Sequence, residues 1–410
     1  MMRLNVRGLI VCRDFLSDPL LQAVMNFVSD PSDEAAAGQA AGQMLEKAET
    51  LGLSGNVLRQ YLLYLLGEGN NIAAASIEYS GTFDTGLEQA MLRDMNILWP
   101  YLSKKPSDFM TYTLFDAYKP AYPRTYPAIA ALDAALGLCA GPAEAAQIVL
   151  HHYTVHGRGK LAKYIAFRVR ESGELVGIES FPYFDWADLI GYEAQKARLL
   201  SNTENFMAGK DCNNVLLTGA RGTGKSTAVK SLVCRYAGLG LRLIQIGRGQ
   251  LAHLPEILEK LCNVKSKKFI LFFDDLSFDE NETEYKYLKS AMDGGVTPQP
   301  DNVLLYATSN RRHLLKETWH ERRDDMEEVY RDDSTNESIS LSDRFGLILH
   351  YAAPTQEEYL QIIAHELEKA GVSLSKEDLR IQGVRWEMEH SGRNGRIARQ
   401  FVKWYLGNKK

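Results

Sequence analysis

The sequence predicts an α/β fold in which helices cover both faces of a parallel five-stranded sheet, with a mainly helical domain before it and a helical lid after it. Three observations support this prediction. From about residue 184, short apolar runs alternate with helical segments, which is typical of parallel sheets with helical crossovers. Residues 1–158 carry apolar residues at helical spacing, and the chain returns to that spacing after about residue 354.

The composition of the 410-residue chain is ordinary for a globular protein, with 45% hydrophobic and 24% charged residues. A formal net charge of −5 provides no overall positive field for nucleic acid, although a local basic patch stays open. The cysteines are dispersed without metal-ligand spacing, which is typical of reduced thiols. We find neither a secretory leader nor an apolar run of membrane-spanning length, so we expect a cytoplasmic protein with no membrane span.

Residues 1–158 are predicted to form the helical N-terminal domain. Apolar residues recur at helical spacing in four runs, and Gly- or Pro-containing stretches separate them. The runs are Leu20–Val28, Val57–Leu66, Leu87–Leu98 and Ala128–Leu136. We find no catalytic constellation in this domain. His151, His152 and His156 lack a further ligand at metal spacing, and we interpret them as loop or surface histidines.

Residues 159–183 are predicted to form a β-hairpin connector. Tyr164–Val169 and Leu175–Ile178 are short apolar runs, and a Ser172-Gly173 turn lies between them. The change from helical to strand spacing marks the end of the N-terminal domain. We expect the hairpin to join that domain to the rest of the chain.

Residues 184–353 are predicted to form the α/β core, and residues 354–410 the helical lid. Five short apolar runs supply the parallel strands of the core, since helical segments separate them. The runs are Val215–Thr218, Leu241–Ile246, Phe269–Phe273, Val303–Thr308 and Leu347–Tyr351. The lid carries Trp386, Trp404 and a cluster of basic residues.

A phosphate-binding loop follows the first of these strands. Residues 219–226 match the pattern GxxxxGK[ST] in full. Glycines in this pattern allow consecutive backbone N–H groups to approach phosphates, Lys225 supplies a charge to the β- and γ-phosphates, and the Ser226 hydroxyl binds Mg²⁺. The helix that starts here adds the positive end of its dipole. We therefore predict that ATP and Mg²⁺ bind at Gly219, Ala220, Arg221, Gly222, Thr223, Gly224, Lys225, Ser226 and Thr227.

Two carboxylates end the apolar strand Phe269–Phe273. Asp274 and Asp275 follow it directly, and the carboxyl ends of parallel strands form the sheet edge at which ligands bind. Asp274 is suited to hold Mg²⁺, directly or through water. Asp275 can then act as the general base that activates the attacking water.

Residues 184–405 together resemble an AAA+ ATPase. Leu189–Tyr192, before the phosphate-binding loop, is similar to the base-binding stretch of that family, which implies nucleotide contacts at Ile190 and Gly191. The family usually carries Glu at its second acid position. Asp275 occupies that position here and is one methylene shorter, a departure that bears on the rate of hydrolysis more than on binding.

Three further segments resemble the family's catalytic motifs. Val303–Asn310 is similar to the sensor-1 strand, which implies that Asn310 orients the attacking water. Leu341–Gly346 is similar to the arginine-finger segment, so Arg344 is expected to reach the γ-phosphate of a neighbouring subunit in a homo-oligomer. Gly392–Phe401 is similar to sensor 2 on the lid. That segment implies a γ-phosphate contact by Arg396, with Arg393 as the alternative.

Within AAA+ proteins, the sequence looks closest to a bacterial subfamily of ATPases of unassigned role. The match is dense in the core and weak over the first 150 residues, so it implies the activity and leaves the biological partner unidentified. We expect an ATP-hydrolysing oligomer that switches, remodels or loads a protein or nucleic-acid partner. Threading of proteins is not expected, because Gly247–His253 holds no aromatic residue at the place where threading members carry one.

Three alternatives stay open. A helicase-loader-like ATPase would use the basic residues Arg311–His313 and Arg393–Arg399, but the acidic charge balance of the chain gives this alternative little support. We interpret the mixed-charge stretch Lys316–Glu337 as a solvated or partner-docking insertion. A nucleotide-gated scaffold with little turnover is compatible with Asp275 in the glutamate position. A P-loop kinase would share the phosphate-binding loop and the acids, but would have no use for the sensor and finger residues together.

Overall fold

The structure, a computed structural model, describes residues 6–110, 112–278, 284–293, 299–310, 341–390 and 392–408. The chain forms two compact units. The first comprises the chain up to Tyr164 together with Gly238–Gly240 and Asn263–Lys267, and the second comprises the remainder. The division between them therefore lies inside the segment 159–183, where the sequence changes from helical to strand spacing.

The described part of the first unit is helical. Its helices are α1 (Pro19–Ser29), α2 (Glu34–Leu51), α3 (Val57–Glu68), α4 (Ile72–Ser80), α5 (Thr85–Ser103), α6 (Pro127–Leu138), α7 (Pro142–His156) and α8 (Gly159–Lys163). Helices α1 to α5 each begin after an Asp or Asn whose side chain accepts a hydrogen bond from a backbone N–H of the first turn. Such caps satisfy amide groups that have no partner within the helix.

One buried carboxylate fixes the start of the described chain against α5. Asp94 is fully buried, and its two oxygens accept hydrogen bonds from the backbone N–H groups of Ile10, Val11 and Cys12 at 2.8–2.9 Å. These three donors compensate a charge that would otherwise be costly to bury. Asp94 therefore has a structural role in the first unit.

The interpretation of the three α7 histidines is wrong for His152. His152 is only 5% exposed and its ring lies 4.5 Å from that of His156, while His151 is exposed on the same helix. Burial and the nearby positive charges lower the pKa of His152 to about 3, so this imidazole is neutral at physiological pH. Among the described residues, no cluster of three or more candidate ligands could hold a metal ion.

Within the described residues, the second unit is built on a seven-stranded sheet. Its strands are β1 (Ala166–Val169), β2 (Leu175–Gly177), β3 (Val215–Gly219), β4 (Leu241–Gln245), β5 (Lys268–Phe273), β6 (Val303–Ser309) and β7 (Leu347–Tyr351), in the order β2-β1-β4-β5-β6-β3-β7. All neighbours pair in parallel except β1 and β2, which form an antiparallel hairpin. The predicted parallel α/β fold is confirmed.

The strand count differs from the five expected because the hairpin β1–β2 joins the sheet. Strand β1 pairs in parallel with β4, with Phe167 opposite Ile244. Ala166, Phe167 and Val169 are buried in this arrangement. The sequence indicates the hairpin, but it does not indicate that β1 extends the sheet. Pairing between strands as far apart in sequence as β1 and β4 leaves no local pattern.

Helices surround the sheet and form the lid. The second unit contains α9 (Glu193–Met207), α10 (Lys225–Tyr236), α11 (Leu254–Cys262), α12 (Tyr285–Met292), α13 (Gln356–Lys369), α14 (Lys376–Glu389) and α15 (Gly395–Asn408). Helices α13 to α15 share a small apolar core that includes Tyr359, Ile363, Leu367 and Phe401. Among the helices that the structure describes, none is both long and apolar enough to cross a membrane.

The strand order places three chain segments side by side at one sheet edge. Strand β6 lies between β3 and β5, so the residues after β6 stand between the phosphate-binding loop and the acid pair. In the observed register, Ser309 is opposite Thr218 and Ala307 is opposite Phe273. Because the three strands are parallel, their carboxyl ends bring these polar segments together.

Candidate active site

The phosphate-binding loop connects β3 to α10 in a backbone conformation that requires glycine. Gly219 has φ +125°, and a Cβ at this position would lie 2.0 Å from the Tyr351 carbonyl oxygen. Gly222 has φ +75°, and its Cβ would lie 2.6 Å from Oδ1 of Asn394. The loop therefore runs close to both β7 and the lid, and it ends at the amino end of α10, where backbone N–H groups favour an anion.

Lys225 is buried at the centre of this loop. Its Nζ donates hydrogen bonds to the carbonyl oxygens of Gly219 (2.8 Å) and Ala220 (2.7 Å) and to Oδ1 of Asn310 (3.2 Å). Burial lowers the pKa of Lys225, whereas the charges of Asp275 and Asp274 act in the opposite direction. The ammonium group is thus held between the loop and the end of β6.

Asp274 lies within reach of two hydroxyl groups. Its Oδ1 accepts hydrogen bonds from Ser226 Oγ at 2.5 Å and from Thr308 Oγ1 at 2.8 Å. A carboxylate and a hydroxyl in contact supply the hard oxygen ligands that Mg²⁺ takes in proteins. The predicted metal ligands Ser226 and Asp274 are therefore adjacent, and their chemistry fits this ion.

Asp275 is held in an uncommon backbone conformation. Its φ is +58°, a left-handed value that costs a residue with a side chain about 1–3 kcal/mol. Its backbone N–H donates to Thr308 Oγ1 at 2.9 Å, and its Oδ1 accepts from Asn310 Nδ2 at 2.5 Å. These two contacts fix the direction in which the carboxylate points.

Thr308 is a site residue that the sequence reasoning missed. Its single hydroxyl donates to Asp274 and accepts from the backbone of Asp275, so it fixes both acids. The available signal is a hydroxyl residue two positions before Asn310, near the end of a buried strand. This signal is weak, because the hydroxyl can be assigned to the acid pair only when β6 is known to pair with β5.

One cavity collects most of the predicted phosphate and catalytic residues. Its volume is about 550 Å³. It is lined by Arg221, Gly222, Thr223, Gly224, Lys225, Ser226, Thr227, Asp274, Asp275, Thr308, Asn310, Arg396 and Arg399. Gly219 and Ala220 are not among the lining residues, but their carbonyl oxygens hold Lys225.

A second cavity of about 200 Å³ lies beside the predicted base-binding stretch. Leu189, Ile190 and Tyr192 line it, opposite Pro354 and Ile362. Gly191 does not line the cavity itself. Its φ is +79°, and a Cβ there would lie 3.4 Å from Glu358 Oε1. Because both cavities share the loop residues Gly222, Thr223, Gly224 and Thr227, they form adjacent compartments along the loop.

The lid contacts the phosphate-binding loop at the start of α15. The backbone N–H of Gly395 donates to the carbonyl oxygen of Gly222 at 2.9 Å. Asn394 Oδ1 accepts from the backbone N–H groups of Arg396 and Ile397, both at 3.0 Å, and thereby caps α15. This contact places Arg396 in the phosphate cavity. The alternative residue, Arg393, instead pairs with Glu387 at 2.5 Å and does not line either described cavity.

Arg344 does not line the described phosphate cavity of its own chain. Its Nε donates to Oδ1 of Asp293, which follows α12, and this hydrogen bond lowers the pKa of the Asp293 carboxyl. Arg344 and Asp293 thus form an ion pair within this chain. Arg311–His313 and Lys316–Glu337 lie outside the described residues.

The family described as a protein of unknown function (DUF815) matches residues 162–409. The chain belongs to this family. The DUF815 match covers the predicted core and lid, and it leaves the helical segment before residue 162 outside. Among curated proteins, none matches the chain.

Several solved structures are similar to this DUF815 protein. The Holliday junction branch migration motor RuvB of Thermotoga maritima is 22% identical, with a TM-score of 0.38 over 55% of this chain and 65% of that chain. PCH-2 of C. elegans is 16% identical, with a TM-score of 0.36 over 55% of this chain and 65% of that chain. The chain thus spans slightly less than two thirds of the length of these proteins. The largely parallel sheet and the glycine-rich loop between β3 and α10, both described above, are those of a P-loop α/β fold.

Proposed function

We propose that this DUF815 protein binds and hydrolyses ATP with Mg²⁺ and acts as an oligomeric switch that remodels or loads a macromolecular partner. One observation carries the proposal. A single cavity is lined by the phosphate-binding loop, the Lys225 ammonium, the acid pair Asp274–Asp275 and the Asn310 amide. This combination suits phosphoryl transfer to water, in which positioning and charge stabilisation supply most of the catalysis.

The loop and the lid would bind the nucleotide. Backbone N–H groups at the start of α10 would face the phosphates, and Lys225 would exchange its carbonyl partners for phosphate oxygens. Arg396 would reach the γ-phosphate from the lid. The second cavity would take the base, since the apolar side chains of Leu189, Ile190 and Ile362 form part of its lining.

The two acids would have different roles, with Asp274 binding the metal and Asp275 activating the water. Ser226 and Asp274 would hold Mg²⁺, which neutralises phosphate charge when bound. Thr308 would keep Asp274 in place. Asp275 would accept a proton from the attacking water, and Asn310, which donates to Asp275, would orient that water.

Arg344 would complete the site of a neighbouring copy. Arg344 does not line the described phosphate cavity of its own chain, and its planar guanidinium would stabilise the charge that develops on the phosphoryl group transferred at the neighbour's site. ATP hydrolysis would then require a homo-oligomer. The partner on which this oligomer acts is a protein or a nucleic acid, and the helical first unit is the candidate for its recognition.

Two variants test the hydrolysis proposal. Lys225→Ala removes the central charge, so we expect nucleotide binding to be lost in fluorescence titrations. Asp275→Asn keeps the shape and removes the base, so binding should persist while steady-state phosphate release falls at least about 100-fold. Wild-type turnover in Asp275→Asn would overturn the assignment of the base.

A nucleotide-gated scaffold with little turnover is the second candidate. It is favoured by the short side chain of Asp275 together with its constrained backbone and its bond to Asn310. Single-turnover hydrolysis of the wild type beside Asp275→Glu separates the two candidates. A much faster glutamate variant would support the scaffold, and a wild type that turns over at least as fast would support the enzyme.

A further inference from the structure

We infer that Arg399 binds the part of the nucleotide that ATP and ADP share, near the ribose and the first phosphates, whereas Arg396 contacts only the γ-phosphate, which ADP lacks. This inference rests on the proposed function and deepens it, because it assigns two different tasks to two arginines of the lid.

The two cavities differ in which arginine lines them. Arg396 lines the phosphate cavity, and Arg399 lines both the phosphate cavity and the base cavity. Among the described lining residues, Arg399 is the one charged side chain that the two cavities share. A nucleotide lying with its base in one cavity and its terminal phosphate in the other must pass this junction with its sugar and inner phosphates.

The geometry of α15 explains why the two arginines can divide the nucleotide between them. They are three residues apart, so they project from the same side of the helix and are displaced by about 4.5 Å along its axis. The amino end of α15 is fixed to the loop through Gly395 and Gly222. Arg399 therefore lies one turn farther along the helix than the arginine that faces the phosphates.

The present partner of Arg399 leaves it able to bind an anion. Its Nη1 lies 3.8 Å from Oε1 of Glu366, and the arginine side chain is 51% exposed. A long, partly exposed ion pair of this kind contributes little to stability. Glu366 itself lines the base cavity, so the pair directs the guanidinium towards the junction of the two compartments.

The two tasks predict different responses to the two nucleotides. We would measure the affinity of the full-length protein for ADP and for the non-hydrolysable ATP analogue AMP-PNP, both with Mg²⁺, in wild type, Arg399→Gln and Arg396→Gln. Arg399→Gln should weaken both ligands by the same factor of about ten, since one charge-assisted contact is lost in each complex. Arg396→Gln should weaken AMP-PNP by a similar factor and leave ADP within about twofold of wild type.

The surface variant Arg385→Gln is the matched control. Arg385 pairs with Glu389 on α14, is 81% exposed and lines neither described cavity, so its loss should leave both affinities unchanged. Glu366→Gln tests whether Arg399 acts only as an ion-pair partner. If Arg399 is merely structural, Glu366→Gln should reproduce the effects of Arg399→Gln, which would contradict the inference.

The outcomes separate this inference from the proposed function. If the wild type binds nucleotide and Arg399→Gln binds ADP equally well, the inference is wrong and the proposed function stands. If Arg399→Gln weakens AMP-PNP alone, the division of tasks is also wrong. If the folded wild type binds neither nucleotide, the proposed function itself fails, and the inference fails with it.

Discussion

Replacing Thr308 by Val should impair hydrolysis much more than nucleotide binding. The change keeps the branched shape and removes the hydroxyl, which donates to Asp274 Oδ1 at 2.8 Å and accepts from the Asp275 N–H at 2.9 Å. Thr308 is only 2% exposed, and its hydrogen bonds to Asp274 and Asp275 are part-buried although both acids face the cavity. A polar group left without a partner costs about 1–3 kcal/mol when it is buried, so we expect the free energy of unfolding to fall by about 1–2 kcal/mol at this partly open site.

The catalytic effect follows from the backbone of Asp275. The left-handed conformation at Asp275 needs support, and the Thr308 hydroxyl is one of the contacts that provide it. A displacement of a catalytic group by about 1 Å can lower a rate about 100-fold, so kcat should fall between about 10- and 100-fold. The phosphate-binding loop is untouched, and the affinity for nucleotide should stay within about threefold of wild type.

The assay combines steady-state phosphate release, nucleotide titration and urea unfolding. Thr308→Ser is the matched control, because it keeps the hydroxyl and loses only a methyl group, and its kcat should stay close to that of the wild type. A Thr308→Val protein that is folded and has wild-type kcat would refute the positioning role. Equal losses of kcat in both variants would also refute it, because the methyl group would then be responsible.

Three other predictions follow from described contacts. Gly219→Ala should abolish nucleotide binding and lower Tm, because the new Cβ would collide with the Tyr351 carbonyl; normal binding would contradict this. Arg344→Ala should bind ATP without hydrolysing it, and mixing it with Lys225→Ala should restore activity; full activity of Arg344→Ala alone, at low concentration, would exclude a finger supplied by a neighbour. Burial raises the pKa of Asp188, but hydrogen bonds from the α13 side chains Lys369 and His365 outweigh it and lower the pKa. The stability that these bonds provide is fully present above the pKa of Asp188 in the unfolded chain, and it is lost as the pH falls through the lower pKa of the folded protein. The difference in Tm between wild type and Asp188→Asn should therefore shrink from about pH 5 downwards.

Local patterns were sufficient to predict the elements that a short stretch of chain determines. The spacing of Gly219–Ser226 predicts a turn between strand and helix, and the loop is found between β3 and α10. The acid pair after a buried strand is equally local. Apolar periodicity likewise predicts the helical first unit, and the short runs predict the five parallel strands.

Features that depend on distant pairing could not be predicted. The role of Thr308 requires the register of β6 against β5, and the place of β1 in the sheet requires its pairing with β4. The position of Arg399 beside the loop depends on the docking of α15, and His152 is buried near Gly67 of α3, a contact that the sequence of α7 alone does not indicate. Each of these outcomes depends on which surfaces meet, and single-segment patterns carry no such information.

The hydrogen bond between Gly395 and Gly222 has a thermodynamic consequence for regulation. It joins the lid backbone directly to the phosphate-binding loop, without a flexible side chain between them. Any molecule that displaces α15 must therefore change the free energy of the loop. By linkage, a partner that alters nucleotide affinity through the lid has its own affinity altered by nucleotide in the same ratio. Measuring either ratio would thus give the other, even before the partner's site on the lid is mapped.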